Sequence, residues 1–432
     1  MASLYRNNLE KLDARQMFGI KLGLEQTAEL FRRCGAPLQM RYLHIAGTNG
    51  KGSCGAMLDA ALRGCGFRTG FYSSPHLIDP RERVRINGAM LTCEQFNAAF
   101  ARVEDAAVSM KNDLGAEVTY FEFATALAAV AFQQADVDFV IWETGMGGTH
   151  DATNVVDPEA AIITNIALDH QRYLGETLAE IAGEKAGIFR SGVPAFCGIL
   201  PEEAQEVVRK KAAELQIPLT FAEEEAEISG ISSGVDAAGA YQEFCHKGRS
   251  VRLHLHGAMQ RRNYLTILPV LEFLGGKYGF STDRAVAALQ YARWPGRVQQ
   301  LSPRLIVDGG HNPDGVAALV QAMEECYPRQ RFTVIFAGFK DKDVRPGIRL
   351  LAKIAARFVL TPLRENRETW DFADLAEMIR ETAPDCPVLC ADNAENALRM
   401  AEDHAEMILA AGSLYLAGEI LESTAPETVQ NL

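Results

Sequence analysis

At 432 residues the chain exceeds what one hydrophobic core usually organises, so two or three domains are expected. Its 48% hydrophobic and 23% charged residues are those of an ordinary globular protein, and a formal charge of -13 excludes one that coats nucleic acid with surplus Lys and Arg. An anionic small substrate stays open if a local cluster reverses the sign.

The opening segment, MASLYRNNLEKLDARQ, lacks the apolar centre and small-residue cleavage site of a secretory signal. No run of about 18 apolar residues follows, so the expectation is a soluble, cytoplasmic protein without membrane contact. Nine cysteines without a Cys-x-x-Cys pair fit neither a disulfide framework nor a zinc module. No repeat and no low-complexity tract is visible.

In chain order, short apolar runs at 42–45, 139–142, 161–164, 305–307, 333–336, 358–360 and 413–416 alternate with turns and longer helical patterns. Continuous apolar runs of this kind read as strands buried on both faces of a mostly parallel sheet, the α/β class. The stretch 223–252, rich in Gly, Ser and acidic residues before the alternating VRLHLHG, reads as an antiparallel edge hairpin on the first domain. Trp294-Pro295-Gly296-Arg297 has the composition of a hinge, which sets domains at 1–296 and 297–432.

The first strand runs into Leu43-His44-Ile45-Ala46-Gly47-Thr48-Asn49-Gly50-Lys51-Gly52-Ser53. The loop has the glycines, lysine and hydroxyl of a phosphate loop, but not the spacing Gly-x-x-x-x-Gly-Lys-Ser/Thr. Its setting between a strand and a helix beginning near Ser53 favours a phosphate site, because amide hydrogens at a helix start, with the helix dipole behind them, attract anions. Gly47, Gly50 and Gly52 would let the backbone curl around phosphate oxygens. Lys51 would offset their charge, and the Ser53 hydroxyl could reach Mg²⁺. The alternative is a flexible loop with a surface lysine.

Hard oxygen ligands for a metal should come from neighbouring strand ends. Glu143 closes the run DFVIWE before a glycine-rich stretch and reads either as such a ligand or as a helix-capping acid. His170, six residues past the next strand, reads as structural when taken alone. Beside the loop it becomes a candidate, because three strand-end loops of one sheet converge on one crevice.

HIAGTNGKGS, SSPHL...RERVRING, ETGMGGTHDATN, LDHQRYLGETLAEIAGEKAGIFR, RWPGR, VDGGHNPDG, FAGFKDKD and GSLYLAGE follow one another in the order seen in folylpolyglutamate synthase/dihydrofolate synthase. The chain resembles that family, part of the wider Mur ligase group, along nearly its whole length. The resemblance implies an N-terminal P-loop ATPase-like domain and a smaller, Rossmann-like C-terminal glutamate ligase domain. It also implies ATP-dependent joining of L-glutamate to the carboxylate of dihydropteroate or a reduced folate through an acyl phosphate.

By the same resemblance, Gly47, Thr48, Asn49, Gly50, Lys51, Gly52 and Ser53 hold the ATP phosphates, and Ser53, Glu143 and His170 serve two Mg²⁺ sites. Lys185 matches a family lysine carbamylated by CO₂, which would make it an anionic metal ligand; the alternative is a salt bridge with an acidic neighbour such as Glu184. Arg297 would reach the phosphates, Asp308 the ribose and Asn263 the neighbourhood of adenine. His311 and Asn312 would face the incoming glutamate. Ser73, Ser74, Pro75 and His76 match a mobile loop over the folate, and Phe121 could stack on the pterin or simply fill the core. Lys51, His170, Lys185, Arg297 and His311 are the implied catalytic set, and a monomer is expected.

The chain departs from the family pattern at Thr149-His150 and at Met259 and Tyr264. A Mur-type ligase acting on a peptidoglycan precursor would need a uridine-diphosphate domain ahead of the loop, where only about 40 residues stand. A non-catalytic P-loop protein is the reading from a different class. A guanine switch should carry Asn-Lys-x-Asp, which is absent, and a dead ligase should have lost Lys51, Glu143 or His170.

Overall fold

The computed structural model describes residues 2–18, 23–223, 227–236, 239–340, 342–364 and 368–424. Two compact units emerge. The first comprises Met1–Glu227 and Arg262–Ala292, and the second Ile228–Arg261 and Arg293–Leu432.

The first unit is built on an eight-stranded sheet. In chain order its strands are β1 (Tyr42–Ala46), β2 (Thr69–Tyr72), β3 (Val84–Ile86), β4 (Ala89–Met90), β5 (Phe139–Glu143), β6 (Pro158–Ile163), β7 (Ala195–Cys197) and β8 (Leu219–Phe221). Their spatial order is β4-β3-β2-β5-β1-β6-β7-β8. All pairings are parallel except the hairpin-like β2-β3-β4 edge.

Every residue of β1 and β5 is buried. Tyr42, Val140 and Trp142 pack into one core with the helices Cys93–Leu114 and Tyr120–Gln134. Ala46, Ala161 and Ile163 go into a second core with the helices Leu178–Ala186 and Glu202–Leu215. A parallel sheet covered on both faces leaves its strand ends as the open place for a ligand, and β1 lies between β5 and β6, where the chain's direction of winding reverses.

The second unit holds two sheets. One is an antiparallel ribbon of β9 (Ile228–Asp236), β10 (Gly239–His246) and β11 (Arg249–Leu253), in the order β11-β10-β9. The alternation at 223–252 thus identified strands correctly but not their placement. Among the described residues they pair only with one another, and they group with the second unit instead of extending an edge of the first sheet; period two fixes a strand's two faces and says nothing about its partner.

The other sheet, of order β12-β13-β17-β14-β15-β16, comprises β12 (Gln299–Ser302), β13 (Leu305–Val307), β14 (Phe332–Phe336), β15 (Ala355–Leu360), β16 (Val388–Cys390) and β17 (Met407–Ala411). It is parallel except for β12.

Segment 413–416 is not the expected strand. The strand is β17, which ends before Gly412 with φ 106°, and Leu414–Thr424 is helical. Leu416, Ala417, Ile420 and Leu421 recur at helical spacing and are buried, and the Ser413 hydroxyl accepts from the amide of Tyr415. Asp341, within the FAGFKDKD motif, lies outside the described residues. No described helix is long and apolar enough to cross a membrane.

Candidate active site

The loop after β1 turns into the helix Lys51–Gly64 at Gly50, whose φ is 86°. A Cβ at Gly47 would sit 1.9 Å from Thr164 Oγ1, and one at Gly50 2.5 Å from Asn263 Oδ1. These two glycines are therefore required by close approach as well as by conformation.

The loop is tied to the segment after β6. Thr48 N donates to Asn165 O (3.0 Å), Asn49 N donates to Asn165 Oδ1 (2.6 Å), and Thr164 Oγ1 donates to Asn49 O (2.6 Å). Thr48 also exchanges hydrogen bonds with Ala167, through its hydroxyl, at 3.0 and 3.1 Å. The helix behind it begins with amide hydrogens that lack carbonyls one turn earlier, which suits a phosphate.

Lys51 Nζ donates to Gly47 O (3.0 Å) and Thr48 O (3.4 Å) and stands 4.0 Å from Glu143 Oε1. Lys185, on the helix Leu178–Ala186 and only 4% exposed, donates to the same Gly47 carbonyl at 3.0 Å. Burial, reinforced by the Lys51 charge, pulls its amine down to about 7, against the opposing pull of Asp169 and Asp151. Two amines thus converge on the Gly47 carbonyl beside the loop.

Glu143, the last residue of β5, and Ser53, in the first turn of the loop helix, are both buried. Asn263 stands against Gly50, so the structure places it at the apex of the phosphate loop. His170 lies on the segment that also carries Asn165, in the left-handed conformation with φ 51°. Its backbone amide donates to Asp169 Oδ1 (2.8 Å) and its Nε2 is 3.9 Å from Asp169 Oδ2. Among the described residues no group of three or more His, Cys, Asp and Glu side chains could hold a metal ion.

After β2, Ser73 is buried and its amide donates to Arg83 O (2.9 Å), which closes a loop over 73–83. Ser74 and Pro75 are joined by a cis peptide bond. His76 Nδ1 accepts from Arg83 Nε (2.8 Å), and burial followed by the Arg83 charge lowers the imidazole to about 3, so it is neutral. Phe121 enters at the start of the helix Tyr120–Gln134, held by a capping box between Thr119 and Glu122. Its ring lies over Gly145, where a Cβ would come 2.4 Å from Phe121 Cζ, and it is tilted against Tyr72 with centroids 6.2 Å apart.

The glycine-rich stretch after Glu143 leans on the Lys185 helix. A Cβ at Gly148 would meet Glu184 O at 2.6 Å, and Thr149 donates to that carbonyl through both N (3.0 Å) and Oγ1 (3.1 Å). Thr149, a departure from the family pattern, thus has a fastening role. Tyr264, another departure, is fully buried. The sequence reading missed Thr164 and Asn165, whose contacts to the loop span more than 110 residues; a small polar pair at a strand's carboxyl end was the available signal.

In the second unit, Asp308 follows β13. Its Oδ2 accepts from Val298 N (2.9 Å) and its Oδ1 from Gly310 N (2.7 Å), and burial raises its carboxyl despite the neighbouring Arg297. Arg297 donates to Gly296 O at 3.2 Å. His311 Nδ1 is 3.1 Å from Gly309 O. Asn312 caps the helix Pro313–Cys326, its Oδ1 accepting from Gly315 N (2.8 Å). The strand-turn-helix over 305–326 therefore gathers Arg297, Asp308, His311 and Asn312, while the phosphate loop, Glu143, Lys185 and Asn263 are gathered in the first unit.

A phosphate loop at the switch point of a parallel sheet, with an acid from the neighbouring strand end, defines a P-loop nucleotide-binding enzyme. The Mur ligase middle domain matches residues 45–269, and the Mur ligase glutamate ligase domain matches residues 296–414.

The chain is 32% identical over 431 residues to the dihydrofolate synthase/folylpolyglutamate synthase of Bacillus subtilis (strain 168), covering 97% of this chain and 99% of the relative. It is similar to the structure of Mycobacterium tuberculosis folylpolyglutamate synthase complexed with ADP and AMPPCP (TM-score 0.84, 28% identity, 97% and 98% of the two chains). It is likewise similar to E. coli FolC in complex with DHPP and ADP (TM-score 0.82, 29% identity, 98% of each chain). The chain belongs to the Mur ligase family, in its folylpolyglutamate synthase/dihydrofolate synthase branch, and is an ATP-dependent ligase.

Proposed function

We propose that the enzyme joins L-glutamate to the carboxylate of dihydropteroate, of reduced folates, or of both, with ATP converted to ADP and phosphate. The observation that carries this reading is the loop Gly47–Ser53, tied to the β6 segment and backed by Lys51 and Lys185, in a chain that matches folate ligases from end to end.

A carboxylate is a poor electrophile, because its charge is delocalised and an oxide leaves badly. Transfer of the γ-phosphoryl group to one carboxylate oxygen gives an acyl phosphate and ADP; attack of the glutamate amine on the carbonyl carbon then forms the amide, with phosphate leaving and a proton lost from nitrogen. Lys51 and the loop amides would hold the phosphates and stabilise the charge that spreads during transfer. Phe121 and the segment Ser73–His76 would hold the folate, with the neutral His76 fixed in orientation by the Arg83 bond to its Nδ1.

Mg²⁺ suits the chemistry of the donors. Ser53 and Glu143 offer hard oxygens but no complete cage, and Mg²⁺ commonly keeps phosphate oxygens and waters as its remaining ligands. Bound there, it would neutralise phosphate charge; His170 and a carbamylated Lys185 are the proposed ligands of a second ion. An amine lowered to about 7 is substantially neutral at physiological pH, the form that reacts with CO₂.

In the second unit, Arg297 and Asp308 are the proposed nucleotide contacts, and His311 and Asn312 the proposed glutamate contacts; Asn263 is assigned to ATP beside the loop. We assign residues 1–296, apart from the ribbon segment Ile228–Arg261 that groups with the second unit, to ATP binding and 297–432 to glutamate ligation, and infer a cytoplasmic monomer.

The test is ADP release with dihydropteroate or tetrahydrofolate plus glutamate, each omitted in turn. Release that requires all three substrates is expected. Absence of glutamate-dependent turnover with any folate would overturn the reading.

A further inference from the structure

The loop that returns from Ser73 to Arg83 is filled by one of its own side chains. Glu82, 6% exposed, accepts three consecutive amide hydrogens: Leu77 N at Oε2 (2.9 Å), and Ile78 N (2.9 Å) and Asp79 N (2.7 Å) at Oε1. Three successive backbone donors turned toward one point form a concavity suited to an anion. Here an intrachain carboxylate occupies it.

The outside of the loop is braced as well. Asp79 accepts from Arg81 N (2.9 Å) and pairs with the Arg81 guanidinium (2.9 Å), and Tyr5 donates its hydroxyl to Asp79 Oδ1 (2.5 Å). The Arg81 guanidinium lies over the Tyr5 ring, 4.9 Å from its centroid. The closing bond, Ser73 N to Arg83 O, and the Arg83 to His76 bond join the two stems.

We propose that Glu82 is a positioning residue for folate binding: by collecting the amides of residues 77–79 it fixes His76 and its neighbours in their binding shape before the substrate arrives. This rests on the reading that Ser73–His76 covers the folate. Glu82 itself points into the loop, so it acts through the backbone and touches neither ATP nor the reacting carboxylate. Pre-ordering removes a conformational cost that binding would otherwise carry. Loss of Glu82 therefore raises the KM for folate and leaves nucleotide affinity unchanged.

The chemistry picks the test variant. In Glu82→Gln one carboxylate oxygen becomes an NH₂, a donor facing a donor, and the single remaining oxygen can serve at most two of three amides. The expected result is a rise in folate KM of about tenfold or more, at constant ADP affinity and with kcat changed far less. Phe121→Ala and His76→Ala run beside it. If both raise folate KM and Glu82→Gln does not, the positioning role is overturned while the folate-loop reading stands. If none of the three moves folate KM, both fall together.

Should Glu82→Gln fail to fold, hydrogen exchange in the unaltered enzyme decides. The amides of Leu77, Ile78 and Asp79 are expected to be protected without folate as strongly as with it. Rapid exchange in the folate-free enzyme would overturn the proposal.

Discussion

Lys51 and Lys185 both place their ammonium nitrogens 3.0 Å from the carbonyl oxygen of Gly47. Burial, reinforced by the Lys51 charge, draws the Lys185 amine down to about 7 from 10.5.

The lowered amine makes stability depend on pH. Between about 7 and 10.5 the unfolded chain binds a proton at Lys185 that the folded chain does not, so the unfolded state gains as pH falls. This contribution to stability is complete above 10.5, diminishes by about 1.4 kcal/mol per pH unit on the way down, and is level below 7. Lys185→Met should remove the slope. In CO₂-free buffer its stability advantage over the unaltered protein should be greatest near pH 7 and fade toward pH 10. A difference between the two proteins that is constant across this range would exclude the lowered amine.

Lys51→Ala removes the charge that faces the phosphates while leaving the loop's ties to Thr164, Asn165 and Ala167 in place. Turnover should fall by about three orders of magnitude or more, with little change in thermal stability. A correctly folded variant with near-normal rate would show that Lys51 has no part in phosphoryl transfer.

Gly50 faces two independent demands, a φ of 86° and the Asn263 side chain, 2.5 Å from where its Cβ would be. Gly50→Ala should cost about 1–2 kcal/mol for the left-handed backbone and about 1–3 more for the overlap. Adding Asn263→Ala should recover only the second part. A double variant as stable as Asn263→Ala alone would mean that the backbone conformation carries no strain.

The parts of the site that sequence made legible are those whose chemistry lies in one short segment. Gly47 to Ser53 could be read because glycines, a lysine and a hydroxyl at a strand-to-helix turn have few other uses, and Glu143 because a carboxylate ending an all-apolar strand is costly without a purpose. Thr164 and Asn165 showed only as a small polar pair at a strand's carboxyl end, since a hydrogen bond to a loop more than 110 positions earlier leaves no local pattern of its own. Segment 413–416 misled because its three apolar residues, Leu414, Tyr415 and Leu416, fit either period, and the helical one is visible only when Ile420 and Leu421 are included. The ribbon β9-β10-β11 showed its alternation but not its partners, because pairing is decided by tertiary contacts.

Asp308 tests how far the second unit's turn depends on one carboxylate. Its two oxygens take the amides of Val298 and Gly310 at 2.9 and 2.7 Å. Val298 holds a φ of 44°, unfavourable for a β-branched residue by about 1–2 kcal/mol, and its side chain is buried in the second unit's core. Such a conformation persists only where its surroundings enforce it, and the Asp308 bond to Val298 N is the enforcing contact beside Arg297. Asp308→Asn keeps the shape but presents an NH₂ to one of the two amides, which should cost about 1–3 kcal/mol and speed hydrogen exchange at Val298 or Gly310. Val298→Gly relieves the backbone and gives up burial worth about 1.5–3 kcal/mol, so the net change should be small. The two variants therefore separate anchoring from strain: if Asp308→Asn leaves both amides protected, the carboxylate is not the anchor and Val298 is held by core packing instead.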